Sequence, residues 1–325
     1  MPMTRRGFSA MMTLLAGSAA GLTRLSPAEA ASVENLTIIA AASTGGGYDT
    51  LARTAQTLLQ NQSLVGNVEV LNVPGAGGTV GLAQFVGAAR KDQLLTAGLG
   101  MVGAITINKS PVTLDQVVPV ARLQGEYQPL VVAAASPLKT VKDLLDMYGK
   151  DPGSVSWGGF GLGSPDHLLS ALVVKAGGGD VSKLNYIVAG AGSEMLPLVL
   201  SNQVTVATGG YGEFADLIAS GQLRALGISS PQRLAGVDIP TFREQGLDTE
   251  LVNWRGLMGA PGLAGEDLAN LDAALGAMAK SAEWAEICKT RGWENLYMNA
   301  ADFSAFLQTE KTRIGALLKE LGLDA

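Results

Sequence analysis

Leu36-Thr37-Ile38-Ile39-Ala40-Ala41-Ala42-Ser43-Thr44-Gly45-Gly46-Gly47-Tyr48-Asp49 runs from an apolar, β-branched stretch straight into a glycine cluster. Beyond Asp49, residues Leu51, Ala52, Ala55, Leu58 and Leu59 recur at helical spacing. The reading is a strand over 36–42, a glycine turn and a helix. Glycine lets the backbone approach a ligand closely. A helix start presents unpaired N–H groups at the positive end of its dipole. The device recurs three times along the chain. Strand 68–73 leads into Pro74-Gly75-Ala76-Gly77-Gly78-Thr79. Strand 155–160 leads into Gly161-Leu162-Gly163-Ser164-Pro165-Asp166-His167. Strand 184–188 leads into Ala189-Gly190-Ala191-Gly192-Ser193-Glu194. A single turn of this kind is most simply a tight strand-to-helix connection. Four of them, with few charged side chains nearby, point to a small anion carrying two or more carboxylates.

Between these turns, short β-branched runs alternate with amphipathic stretches, as in an α/β fold. Strands are expected at 94–99, 119–123, 129–134, 204–208, 223–228 and 251–260. Helices are expected at 79–88, 140–148, 265–279, 282–290 and 301–321. The chain leaves one lobe near 124–129 and returns near 250–254. That gives one discontinuous lobe, one inserted lobe and a cleft between them. The expected domains are residues 31–126 with 254–325, and residues 127–253.

The ends and the composition narrow the function. Arg5-Arg6 with Phe8, the apolar run 10–22 and Ala28-Glu29-Ala30 read as a twin-arginine signal peptide over residues 1–30, cleaved near Ala30. Without it the chain holds 20 basic and 28 acidic residues. An acidic, exported protein without a basic run does not point to nucleic acid. The sequence of 325 residues contains one histidine and one cysteine, so a His/Cys zinc site and an intrachain disulfide are both excluded. No phosphate-binding G-x-x-x-x-G-K-[ST], complete dinucleotide fingerprint or G-x-S-x-G elbow is present, and no cofactor is expected. Ser164 reads as the cap of its helix, Pro165 as the first helical residue, and Asp166 lies in the positive first turn. His167 reads as a lining histidine rather than a general base. Arg53, Arg122, Arg224 and Arg255 are candidates to pair a substrate carboxylate, with structural ion pairs expected for at least three of them. Trp157, Trp254 and Tyr211 read more readily as core than as a ligand cage, and Cys288 reads as core.

In order and spacing, several segments resemble the substrate-binding proteins of tripartite tricarboxylate transporters, also called Bug proteins. They are Gly45-Gly46-Gly47-Tyr48-Asp49 with Ala52-Arg53; Asn72-Val73-Pro74-Gly75-Ala76-Gly77-Gly78; Asn108-Lys109-Ser110-Pro111; the segment ending in His167; Asn185-Tyr186-Ile187; Gly212-Glu213-Phe214-Ala215-Asp216; Leu223-Arg224-Ala225-Leu226; and Asn253-Trp254-Arg255-Gly256. The last of these look most like the citrate-binding branch. The resemblance spans essentially all of the chain after residue 30. It implies a type II periplasmic binding protein fold, with two α/β lobes and a ligand cleft between them. It also implies an organic carboxylate held mainly by backbone amides, hydroxyls and waters. Delivery to a membrane permease of one large and one small subunit is implied too. Two departures stand out. Ser43-Thr44 replaces the usual proline of the first loop, and small apolar residues fill the fourth.

The expected function is a periplasmic, monomeric receptor for a citrate-like di- or tricarboxylate, without catalysis. The alternatives are a periplasmic enzyme acting on an acyl or hydroxy acid with His167 as base, and a receptor that hands its ligand to a signalling partner. The expected ligand-binding residues are Thr44, Gly45, Gly46, Gly47, Tyr48 and Asp49 in the first turn, and Gly75, Ala76 and Gly77 in the second. Met101 and Val102 follow the third strand. Gly161, Gly163, Ser164, Asp166 and His167 come from the third turn, Gly190, Ala191 and Gly192 from the fourth, and Tyr211 completes the set.

Overall fold

A computed structural model describes residues 33–189 and 192–324; Gly190 and Ala191, expected in the fourth turn, lie outside the described residues. Among the described residues the strands form two mixed sheets. The first contains β1 (Asn35–Ala40), β2 (Asn67–Asn72), β3 (Gln93–Gly98), β4 (Val118–Tyr127), β10 (Val252–Gly259) and β11 (Glu294–Met298), in the order β11-β4-β10-β3-β1-β2. The second contains β5 (Pro129–Ala133), β6 (Ser156–Gly159), β7 (Asn185–Val188), β8 (Val206–Thr208) and β9 (Leu223–Ile228), in the order β7-β6-β8-β5-β9.

The two sheets repeat one plan. In the first, β1 pairs in parallel with β2 and β3, and β10 returns antiparallel to β3. In the second, β6 pairs in parallel with β7 and β8, and β5 lies antiparallel to β8. Parallel neighbours need crossover helices, and these are α1 (Gly47–Asn61), α2 (Thr79–Ala88), α5 (Pro165–Ala176) and α6 (Gly192–Leu200). The remaining helices are α3 (Leu99–Ile107), α4 (Val141–Lys150), α7 (Tyr211–Ala219), α8 (Gly265–Ala279), α9 (Ala282–Arg291) and α10 (Ala300–Glu320).

Two elements depart from the sequence expectation. Helix α3 begins directly at the end of β3, where only a strand end was expected. Its sequence, LGMVGAITI, is apolar on every face and carries no helical periodicity to read. Strand β11 was not expected at all. Strand β4 extends through polar residues to Tyr127 because β10 and β11 pair with it on either side.

Apolar burial ties the sheets together. One continuous core joins Ile39, Leu95 and Trp254 of the first sheet to Val132, Trp157 and Leu168 around the second. A second core, with Leu36, Leu51, Leu59 and Trp284, covers the other face of the first sheet. A third, with Val131, Met195 and Phe214, covers the other face of the second. Cys288 is a buried member of the second core, and burial lifts its thiol to about 11.

The chain passes between sheets at Gln128, the single residue separating β4 from β5, and returns between β9 and β10. Ser229 clasps both crossings. Its Oγ accepts the Gln128 N–H at 2.9 Å and donates to the Leu251 carbonyl at 2.6 Å. Its backbone N–H donates to the Gln128 carbonyl at 3.0 Å, and its carbonyl accepts the Leu251 N–H at 3.1 Å. Four hydrogen bonds thus converge on one fully buried serine.

Candidate functional site

The turns at the carboxyl ends of β1, β2 and β6 face one cavity of about 710 Å³, within the usual range for small-molecule sites. The first sheet contributes Ser43, Gly47 and Tyr48, the segment from Pro74 to Gly78, the α3 residues Gly100, Ala104 and Ile107 with Asn108, and the β10 residues Asn253 and Arg255. The second contributes Phe160, Gly161, Leu162, Ser164, Pro165 and Val188.

Asp49 shapes the first turn. Its carboxylate accepts the Gly45 N–H at 2.8 Å, Arg53 Nε at 2.9 Å and Asn72 Nδ2 at 2.8 Å. Burial pushes its carboxyl up, yet these hydrogen bonds prevail and hold it below the usual range. Gly45 adopts φ +83°, which favours glycine. The Gly46 N–H closes back onto the Ser43 carbonyl at 3.0 Å. The N–H groups of Gly47, Tyr48 and Asp49 open the helix and have no intrahelical acceptor. Thr44 is exposed, with its Oγ1 at 3.5 Å from Asn72 Oδ1, and does not line the cavity; neither do Gly45 and Gly46.

The second turn carries φ values of +131°, +47°, +64° and +95° at Gly75, Ala76, Gly77 and Gly78. Such a run turns the chain tightly, and the Gly78 N–H closes back onto the Gly75 carbonyl at 2.9 Å. Asn108 Nδ2 fixes it through the Ala76 carbonyl at 3.0 Å. Met101 and Val102 are buried beneath the site. The Met101 N–H donates to the Tyr48 hydroxyl at 3.2 Å, so Gly100 and Ala104 present the surface of α3 instead. Burial raises the Tyr48 hydroxyl to about 12.

In the third turn, Ser164 Oγ accepts the His167 N–H at 3.3 Å, and Pro165 opens α5. Asp166 is buried behind the turn. It accepts the Phe160 N–H at 3.0 Å and the Gln128 side-chain amide, and burial lifts its carboxyl to about 7. His167 Nδ1 accepts the Gly163 N–H at 3.1 Å, and its ring packs on Tyr186 with centroids 4.2 Å apart. Burial lowers His167 to about 4, so the imidazole is neutral and its Nδ1 committed. Gly163, Asp166 and His167 therefore support the third turn without lining the cavity. At the fourth turn Val188 reaches the cavity, Gly192 begins α6, and Tyr211 at the start of α7 lies outside the lining.

The four candidate arginines separate clearly. Arg53 pairs with Asp49 at 2.9 Å. Arg122 donates to the Leu296 carbonyl at 2.9 Å and lies over Phe306. Arg224 donates to the carbonyls of Ala134, Ser136 and Leu138. Only Arg255 faces the cavity, and it pairs with Glu126 at 2.7 Å. Sequence reasoning weighed Arg255 without placing it in the site, and it missed the apolar wall of Phe160, Leu162 and Val188. That wall has no sequence signal, because apolar residues beside a glycine turn read as strand and core.

The chain matches the tripartite tricarboxylate transporter family receptor, TctC, over residues 51–323. Protein BugT of Bordetella pertussis is 26% identical over 285 residues, covering 86% of each chain. A TctC solute-binding protein from Polaromonas superposes with a TM-score of 0.75 at 23% identity, over 89% of this chain and 99% of the other. MatC from Rhodopseudomonas palustris, solved with bound malate, superposes with a TM-score of 0.73 at 21% identity, over 88% and 99%. These superpositions agree with the two-sheet architecture and its two-lobed type II form. The chain belongs to the tripartite tricarboxylate transporter receptor family, and it is a binding receptor rather than an enzyme.

Proposed function

We propose that the protein captures a small organic di- or tricarboxylate in the cleft and delivers it to a tripartite tricarboxylate permease of one large and one small membrane subunit. The observation that carries the reading is the convergence of the first three glycine turns on one cavity, with the start of α1 lining it through Gly47 and Tyr48. Uncommitted N–H groups at helix starts favour carboxylates without a cluster of lysines. MatC and a second R. palustris relative, solved with malate and adipate respectively, support this choice of ligand.

In this reading residues 31–126 with 254–325 form one lobe and residues 127–253 the other. Gly47, Tyr48, Gly75, Ala76, Gly77, Gly161 and Ser164 touch the ligand. Asp49, Gly163, Asp166 and His167 hold the turns in shape. The receptor works as a monomer in the periplasm after cleavage of residues 1–30.

The test is a thermal-shift screen of the purified protein against citrate, malate, succinate and adipate. A true ligand at a hundredfold excess over its dissociation constant stabilises the fold by roughly 2.7 kcal/mol. No shift with any carboxylate would contradict the reading.

A further inference from the structure

Arg255 is the one charged side chain among the described residues that line the cleft. Its position sets two positive features against each other. The guanidinium lies on the first turn of α1, where a Cβ at Gly47 would stand 2.6 Å from Nη2 and 2.7 Å from Cζ. A helix start already carries positive partial charge, so a cation there is unfavourable unless an anion joins it. Within the protein that anion is Glu126, at the end of β4, whose Oε1 accepts from Arg255 Nη1 at 2.7 Å. Its other oxygen lies beside Gly210, the cap of α7, where a Cβ would be 2.9 Å away. Glu213, in the first turn of α7, is a second acid in the field of the same arginine. Burial and the Glu126 charge push its carboxyl up, against the pull of the Gly210 N–H and Arg255. Glu126 alone pairs with the guanidinium, while Glu213, which accepts the Gly210 N–H at 3.2 Å, adds a second negative charge nearby.

We propose that Glu126 is an internal stand-in for a ligand carboxylate, and that binding passes the Arg255 guanidinium from Glu126 to the ligand. The proposal rests on the carboxylate reading and deepens it. Ligand capture becomes an exchange of ion pairs at the joint between the lobes. It also assigns specificity, because a ligand must bring an anion to this corner. A neutral amide analogue cannot displace Glu126.

Titration calorimetry with citrate, malate and adipate tests the exchange. Glu126→Gln removes the competitor, so its affinity for the best of the three should rise about tenfold, the scale of one charged hydrogen bond. Arg255→Gln should lose about tenfold or more. The double variant should bind as weakly as Arg255→Gln alone, because Glu126 acts only through the arginine. Should Glu126→Gln fail to fold, Glu126→Asp draws the carboxylate back and should also tighten binding. Wild-type binding that a folded Glu126→Gln or Glu126→Asp leaves unchanged or weakens overturns the exchange alone. A wild-type protein that binds none of the three overturns the carboxylate reading, and the exchange with it.

Discussion

Asp49 and Asp166 are two buried aspartates with opposite electrostatic fates. Asp49 gathers three donors around one carboxylate, and replacing it with alanine takes their shared acceptor from the Gly45 N–H and Arg53, while Asn72 keeps the Ala42 carbonyl at 3.1 Å. Asp49→Ala should destabilise the fold by about 1–3 kcal/mol and weaken carboxylate binding with it. Chemical denaturation and calorimetry check this, and a stable variant with unchanged affinity would remove Asp49 from the site's support. Asp166 behaves differently. An unfolded aspartate titrates near 3.9, whereas burial raises this one to about 7. The folded state therefore holds the proton more tightly. The stability this provides is full below about pH 4 and is lost as pH rises to about 7. Asp166→Asn should remove that dependence, with Gln128 turning its amide to suit. Denaturation at pH 5 and pH 8 should show the variant gaining on the wild type at the higher pH; parallel behaviour would contradict the assignment. Both aspartates stood out in the sequence because each lies just inside a helix start. Their burial, and the link from Gln128 to Asp166 across 38 positions, could not be read there.

At the scale of elements, the glycine turns were legible because glycine, a capping serine and a helix-opening proline leave local signals. Helix α3 was not, since apolar residues on every face remove the contrast that marks an amphipathic helix. It is nevertheless one of the elements through which the lobes touch, beside α10, whose Glu320 pairs with Lys175 of α5 at 2.6 Å. Gly103 on α3 lies against the Gly163 backbone, and a Cβ there would run into the Gly163 carbonyl oxygen. Gly163 itself holds φ +68° and packs on Ile107. A methyl group at position 103 must push the third turn away from α3. Overpacking of this kind costs about 1–3 kcal/mol. Gly103→Ala should therefore lower the melting temperature and weaken carboxylate binding. Exposed Gly87, where a Cβ meets nothing within 4 Å, provides the control: Gly87→Ala should leave binding intact. Equal affinity in both variants would contradict the role given to this contact.

The whole molecule repeats one sheet plan and joins the copies at Gln128, Ser229 and Leu251. Alternating strand and helix signals made the α/β class readable. The clasp was invisible, because a buried serine at a strand end has no distinguishing neighbours in sequence. In the proposed function, backbone amides at the turns hold a carboxylate in the cleft. Hydrogen exchange, compared with and without the strongest ligand of the thermal-shift screen, tests it directly. Bound ligand covers the N–H groups it occupies. Protection should therefore rise in segments 45–50, 75–80, 99–104 and 161–168, with little change in α8 and α9, which lie away from the cleft. Ligand binding that leaves those four segments unchanged, or protects a different surface, would contradict the account.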